Sequence, residues 1–223
     1  MSGPILRAVG LGRDFVSAGE TVRVLDDVSL EVAPGELVVV RGQSGSGKST
    51  LLNLLSGLDR PTRGEVLLGD ERLDLAGPER LADLRRDRLG IVFQAFGLLS
   101  VLTAAENVEL PLRISRTSGR RRDARVAEVL DLVGLSEHAA QRPEELSGGQ
   151  QQRVGIARAI AGRPEVLIAD EPTAQLDSVT GAAILELLVS MVETDGMAAV
   201  VATHDESLAA RADRVVTLRA RRV

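Results

Sequence analysis

Short apolar runs rich in β-branched residues alternate with stretches of helical periodicity along the whole 223-residue chain. That alternation predicts an α/β protein built on a sheet. ILRAVGL (5–11) and VSLEV (28–32) predict early strands, and ELVVV (36–40) predicts a buried strand feeding a glycine-rich loop. Lys48 to Leu55 predicts a helix and GEVLLG (64–69) a strand. PERLADLRRDRLG (78–90) predicts a helix with Pro near its start and Gly at its end. Ile91 to Phe93 then forms a short strand. From about 95 to 162 no strong strand pattern occurs and the segment reads as mostly helical. Strand patterns return at EVLIAD (165–170), AAVVAT (198–203) and RVVTL (214–218), with helices between them. The expectation is one domain over 1–223: a sheet core from about 1–94 and 164–223, interrupted by a helical lobe at 95–163.

Composition narrows this little. A hydrophobic content of 44% with 26% charged residues is that of an ordinary globular protein. No apolar run reaches the roughly 18–20 residues of a membrane-spanning helix, because AAILELLVSMV is interrupted by Glu186. The N-terminus lacks the charged start and apolar stretch of a secretory signal. The absence of cysteine excludes disulfides and thiolate metal sites and fits a reducing compartment. A cytoplasmic location is expected. The net charge of -5 argues against general nucleic-acid binding. The basic stretch RTSGRRRDAR (116–125) reads as a solvated turn and helix start, with phospholipid or nucleic-acid contact as the alternative.

The basic residues carry one informative exception. Lys48 is the only lysine; every other basic position among the 27 Lys and Arg residues is arginine. It lies in RGQSGSGKST (41–50), where Gly42, Gly47, Lys48 and Ser49 satisfy G-x-x-x-x-G-K-[ST] between a predicted strand and a predicted helix. Glycines let the backbone wrap phosphates, with N–H groups converging at a helix N-terminus. Ser49 can offer its hydroxyl to Mg²⁺. A compact ammonium on a flexible stem reaches between phosphate oxygens where a planar guanidinium does not.

Such a loop leaves kinases, GTPases and ATPases open. EVLIADEP (165–172) adds a buried strand ending in two carboxylates. Asp170 is placed to hold Mg²⁺ at the carboxyl end of the strand, and Glu171 to polarise an attacking water. An N-K-x-D guanine reader needs a second lysine, so adenine is the expected base.

LSGGQQQRV (146–154), taken with GQSGSGKST, LIADEPTAQLD, Gln94 in IVFQAF and His204 in VVATHD, resembles the nucleotide-binding subunit of an ATP-binding-cassette (ABC) transporter over essentially the whole chain. The resemblance implies an α/β fold: a P-loop NTPase core with a mixed sheet, plus a helical subdomain. It implies ATP and Mg²⁺ as ligands. Ser44, Gly45, Gly47, Lys48, Ser49 and Thr50 then bind the phosphates, and Gly42 belongs to the same loop. Gln94 reaches the metal and the attacking water, Asp170 supports the metal, Glu171 is the general base and His204 meets the γ-phosphate. Ser147, Gly148, Gly149 and Gln150 bind ATP held by a second copy of the chain, across an interface that includes Asp177. Alone, LSGGQ reads as a helix cap. Phe15 occupies the place of the adenine-stacking aromatic, usually Tyr, with core packing as its alternative role. His138 reads as structural.

LRRDRLGIVFQAFGLLSVLTAAENVELPL (84–112) is most similar to the branch serving lipoprotein release, macrolide efflux and cell-division permeases. AQLD departs from the Gly-Asn wording common there. The implied partners are a separately encoded integral-membrane permease, which holds the ATPase at the inner face of the membrane, and a second copy of the chain. FGLLSVLTAAENV is expected to line the groove that receives the permease. A soluble cassette ATPase acting on ribosomes or DNA is the alternative; it predicts tandem cassettes, a coiled-coil insertion or zinc-binding cysteines, and none is present. A binding module without catalysis predicts damage at Lys48, Asp170, Glu171 or His204, all of which are intact.

Overall fold

The computed structural model describes residues 3–17 and 20–219. The chain runs β1 (Leu6–Ser17), β2 (Glu20–Val32), β3 (Leu37–Arg41), α1 (Lys48–Leu55), β4 (Arg63–Leu68), β5 (Glu71–Arg72), α2 (Pro78–Asp87) and β6 (Leu89–Val92). There follow α3 (Ala104–Ile114), α4 (Gly119–Leu132), two 3-10 turns (Ser136–His138 and Pro143–Glu145) and α5 (Gly148–Ala161). The chain then forms β7 (Val166–Asp170), α6 (Ser178–Asp195), β8 (Ala198–Ala202), α7 (Glu206–Arg211) and β9 (Arg214–Thr217).

The strands divide between two sheets. One is antiparallel in the order β2-β1-β4-β5, and the other is parallel throughout in the order β6-β7-β8-β3-β9. Strands β6, β7, β8 and β3 are buried on both faces, which is why they read as unbroken apolar runs, whereas the edge strand β9 is mostly exposed. Alternation then sorts their side chains. Val38, Val40, Val166, Ile168 and Val200 join the core shared with the antiparallel sheet and α1. Leu37, Val39, Leu167, Ala169 and Val201 join the core shared with α3, α4, α5 and α6.

Several boundaries depart from expectation for local reasons. β1 and β2 extend well past 5–11 and 28–32, because register shifts between Ala8 and Asp14 break the two-residue alternation that marks a strand. The helix expected over 78–90 ends at Asp87, and β6 begins at Leu89 rather than Ile91. Gly90 therefore ends no helix. It lies inside β6, where an added Cβ would sit 2.6 Å from the carbonyl oxygen of Ala159 on α5. α3 starts at a capping box in which Thr103 Oγ1 accepts from Glu106 N and a Glu106 carboxylate oxygen accepts from Thr103 N at 2.8 Å.

The basic stretch 116–125 is a turn leading into α4, and part of it is ion-paired. Arg122 bridges to Glu109. Arg125 pairs with Glu128 and donates to the carbonyls of Ile160 and Ala161, the C-terminal end of α5.

Candidate nucleotide site

Four neighbouring strands of the parallel sheet, β6, β7, β8 and β3, point their carboxyl ends to one place, and each is followed there by a candidate residue. This is where α/β sheets hold ligands. After β3 the loop 42–47 turns into α1, anchored by the buried Leu51, Leu52, Leu54 and Leu55. Gly47 caps that helix at φ 93°, and an added Cβ there would lie 2.7 Å from Leu25. Any side chain would meet both strain and a clash. The loop so formed turns the free N–H groups of the first turn of α1 toward the cavity.

The cavity has a volume of about 810 Å³. Ser44, Gly45, Gly47, Lys48, Ser49 and Thr50 line it from the loop and α1, and Gln94, Asp170, Glu171 and His204 from the other strand ends. Ten candidates spread from 44 to 204 are thus one site. Gly42 adjoins it: its carbonyl accepts from Lys48 Nζ at 2.8 Å.

Three groups meet closely. His204 Nε2 lies 3.5 Å from Glu171 Oε1 and 3.4 Å from Lys48 Nζ. Glu171 takes a left-handed φ of 48°, fixed by its N–H donating to Ala202 O on β8 at 2.9 Å. A non-glycine residue there stores roughly 1–3 kcal/mol of strain, a cost typical of side chains that must be aimed. The backbone on either side of His204 is held by neighbouring bonds. Asp205 N donates to Thr203 Oγ1 at 3.0 Å, and the Asp205 carboxylate caps α7 by accepting from Ser207 N and Leu208 N. The Ser207 hydroxyl, with those amides, holds the Asp205 carboxyl below its ordinary value.

The donors fit a magnesium ion. Ser49, Gln94 and Asp170 offer a hydroxyl, an amide and a carboxylate around one cavity, all hard oxygen ligands. Among the described residues no cluster of three or more His, Cys, Asp or Glu could hold a metal alone. A single carboxylate with neutral oxygens is the pattern of a cation that also binds substrate phosphates.

Other candidates lie elsewhere. Ser147 N-caps α5 through a capping box with Gln150: Ser147 N donates to Gln150 Oε1 at 2.8 Å, and Gln150 N donates to Ser147 Oγ at 3.2 Å. Gly148 and Gly149 form the first turn, against Gln175 in the segment that ends at Asp177. Asp177 N-caps α6 by accepting from Val179 N and Thr180 N. None of these five residues lines the cavity. Phe15 also stands outside it, 39% exposed on β1, with the Arg13 guanidinium 4.4 Å from its ring centroid.

Sequence reading passed over Val24, Ser46, Thr173, Ala174, Thr203 and Asp205, which also line the cavity. Only T-H-D-E-S (203–207) held a usable signal, an Asp before a short helix. It also passed over Arg158. That side chain on α5 donates to the carbonyls of Phe96 (3.0 Å) and Gly97 (2.6 Å), pinning the loop after Gln94. Burial pushes its guanidinium below the ordinary value. Arg158 also borders a second, largely apolar cavity of about 430 Å³, with Phe93, Leu110, Pro111 and Ile114 on its walls; FGLLSVLTAAENV (96–108), expected to line a groove for the permease, contributes no residue to it.

A phosphate loop at the carboxyl edge of a parallel sheet, faced by two carboxylates and a histidine, defines a P-loop nucleotide-binding protein. Residues 25–174 match the family model described as ABC transporter. The lipoprotein-releasing system ATP-binding protein LolD of Novosphingobium aromaticivorans is 46% identical over 98% of this chain and 97% of its own length. The macrolide export ATP-binding/permease protein MacB of Rhodopseudomonas palustris is 44% identical over 98% of this chain, which spans only 33% of that longer protein. The solved dimeric structure of a post-hydrolysis state of the ATP-binding cassette MJ0796, bound to ADP and Pi, superposes with a TM-score of 0.93 at 41% identity, covering 97% of each chain. The chain belongs to the ABC transporter ATP-binding family.

Proposed function

We propose that the chain is the ATP-hydrolysing subunit of a membrane transporter or mechanotransmitting complex, working as a head-to-tail pair around two ATP molecules. The convergence of Lys48, Glu171 and His204 in one cavity carries this reading. Phosphoryl transfer to water needs a positioned nucleophile and compensated charge more than covalent chemistry. Lys48 and the loop amides take the phosphates, and Phe15 offers a ring face to adenine. Glu171 accepts the proton of the attacking water, and His204, beside it, holds the γ-phosphate. A bound Mg²⁺ would neutralise charge on the phosphate oxygens, held by Ser49, Gln94 and Asp170.

Ser147, Gly148, Gly149 and Gln150 stand outside the chain's own cavity, as residues serving the partner copy's ATP would. The amides that open α5 form a second anion-binding terminus, and Asp177 caps α6 beside them. The apolar cavity walled by Phe93, Leu110, Pro111 and Ile114 suits a helix of the permease. Arg158 ties that wall to the loop after Gln94, so seating the permease would move Gln94. Among the described residues no helix is long and apolar enough to cross a membrane. In this reading the permease holds the ATPase at the inner face of the cell membrane. The similarity to a lipoprotein-releasing LolD and a macrolide-export MacB favours export or mechanotransmission over import.

The test is recovery of tagged Glu171→Gln, loaded with ATP and Mg²⁺, from detergent-solubilised native membranes, with partners identified by mass spectrometry. The expected result is a stoichiometric integral-membrane protein. Recovery of ribosomal or DNA-bound partners alone would contradict the proposal.

A further inference from the structure

The side chain of Gln150 is committed in one direction. Its Oε1 accepts the Ser147 N–H at 2.8 Å, and turning the amide over would set an NH₂ against that N–H. Its Nε2 therefore points away from the cap, toward His138 Nε2 at 3.1 Å. An amide nitrogen only donates, so this ring nitrogen must carry the lone pair. The other ring nitrogen then bears the proton, and it faces an acceptor, Gln141 Oε1, at 2.7 Å. Each bond fixes the next, and the whole relay requires a neutral imidazole protonated on Nδ1.

From this geometry we infer that His138 is a positioning residue for the Ser147–Gln150 cap, acting through the amide of Gln150. Without an acceptor at His138 the Gln150 amide loses its outer anchor and rotates off Ser147 N. With the anchor in place, Ser147 Oγ accepts from Gln150 N at 3.2 Å. Its own proton is then free to point outward, beside the first amides of α5, as a donor to an anion. His138 lies in the 3-10 turn Ser136–His138, touches no part of the nucleotide cavity, and is half-buried. The inference rests on the proposed role of Ser147 toward a partner copy's ATP, and deepens it.

Two measurements test it. The chain has only two histidines, so long-range ¹H–¹⁵N NMR of the full chain, assigned with His138→Gln, reads the tautomer of His138 directly. The expected spectrum is the Nδ1–H form. The second measurement is ATP-driven dimerisation in a Glu171→Gln background, alongside monomer affinity for a fluorescent ATP analogue. His138→Leu should weaken dimerisation about tenfold, the scale of a lost helix cap, and leave monomer affinity unchanged. His138→Gln, which can present Oε1 to Gln150, should restore dimerisation to within about twofold. An Nε2–H ring, a Leu variant that dimerises as tightly as its parent, or a Gln variant as weak as Leu would overturn the inference. A parent that never dimerises with ATP would instead overturn the proposed function, with the tautomer still decided by NMR.

Discussion

His204 Nε2 stands 3.5 Å from Glu171 Oε1, although the two lie 33 positions apart in sequence with all of α6 between them. The parallel pairing of Ile168 with Val200 and Asp170 with Ala202 brings these strand ends together. Replacing Glu171 by Gln keeps the shape but removes the proton acceptor. Turnover should fall by about 10²–10⁴-fold, the usual worth of a positioned base, while ATP binding persists. A phosphate-release assay beside equilibrium nucleotide binding separates the two effects; an equal loss of both would place Glu171 in binding.

Lys48 gives a second handle because no other side-chain amine exists in the chain. Its Nζ donates to Gly42 O at 2.8 Å and faces the cavity. Amine-reactive labelling followed by intact-mass measurement should show modification at Lys48 and the N-terminus alone. ATP with Mg²⁺ should suppress the Lys48 adduct and spare the N-terminal one. Lys48→Ala should abolish ATP binding. Unprotected labelling at saturating ATP would remove Lys48 from the phosphate site.

Gly90 tests the seam between the parallel sheet and α5. A Cβ there would come within 2.6 Å of Ala159 O and 2.8 Å of Pro164 Cγ, and the first of these is backbone. Gly90→Ala should destabilise the fold by about 1–3 kcal/mol, the cost of overpacking, read as a shift of the urea midpoint. A midpoint within experimental error of the parent would show that α5 gives way freely.

Acid stability carries the sign of a depressed carboxyl. The Thr180 N–H above all, with the Val179 N–H, holds the Asp177 carboxyl below its ordinary value of 3.8. The unfolded chain binds the proton first. The cap's contribution is therefore complete above 3.8 and is lost as the pH falls through the folded value. Thermal melts between pH 7 and pH 2 should show a shallower acid decline for Asp177→Asn than for the parent, since Asn caps without titrating. Identical declines would show that other carboxylates account for it.

The central strands of the parallel sheet were legible because they are buried on both faces. VVV, VLIA and AAVVA admit no other burial, and the loop at 42–49 needed its strand and helix where they were found. The antiparallel sheet was only half legible. The first four residues of β2 are all exposed, and β1 shifts register three times, so neither keeps the alternation that identifies a strand. Gly90 misled because a glycine after a helical stretch usually ends it, whereas here the reason is a close approach across 69 residues of sequence. The site was legible where chemistry is written in one segment, as at 42–50 and 165–172. Arg158 acts through backbone carbonyls some 60 residues away, which no local spacing encodes.

In the proposed function one chain forms half of a two-site ATPase. The most direct measurement is the solution mass of Glu171→Gln by light scattering, with and without ATP and Mg²⁺, and with Ser147→Arg added. The expected result is a doubled mass only with ATP and Mg²⁺, and a return to the single-chain mass when Ser147→Arg puts a bulky cation at the first turn of α5. A single-chain mass under every condition, or a dimer indifferent to Ser147→Arg, would contradict it.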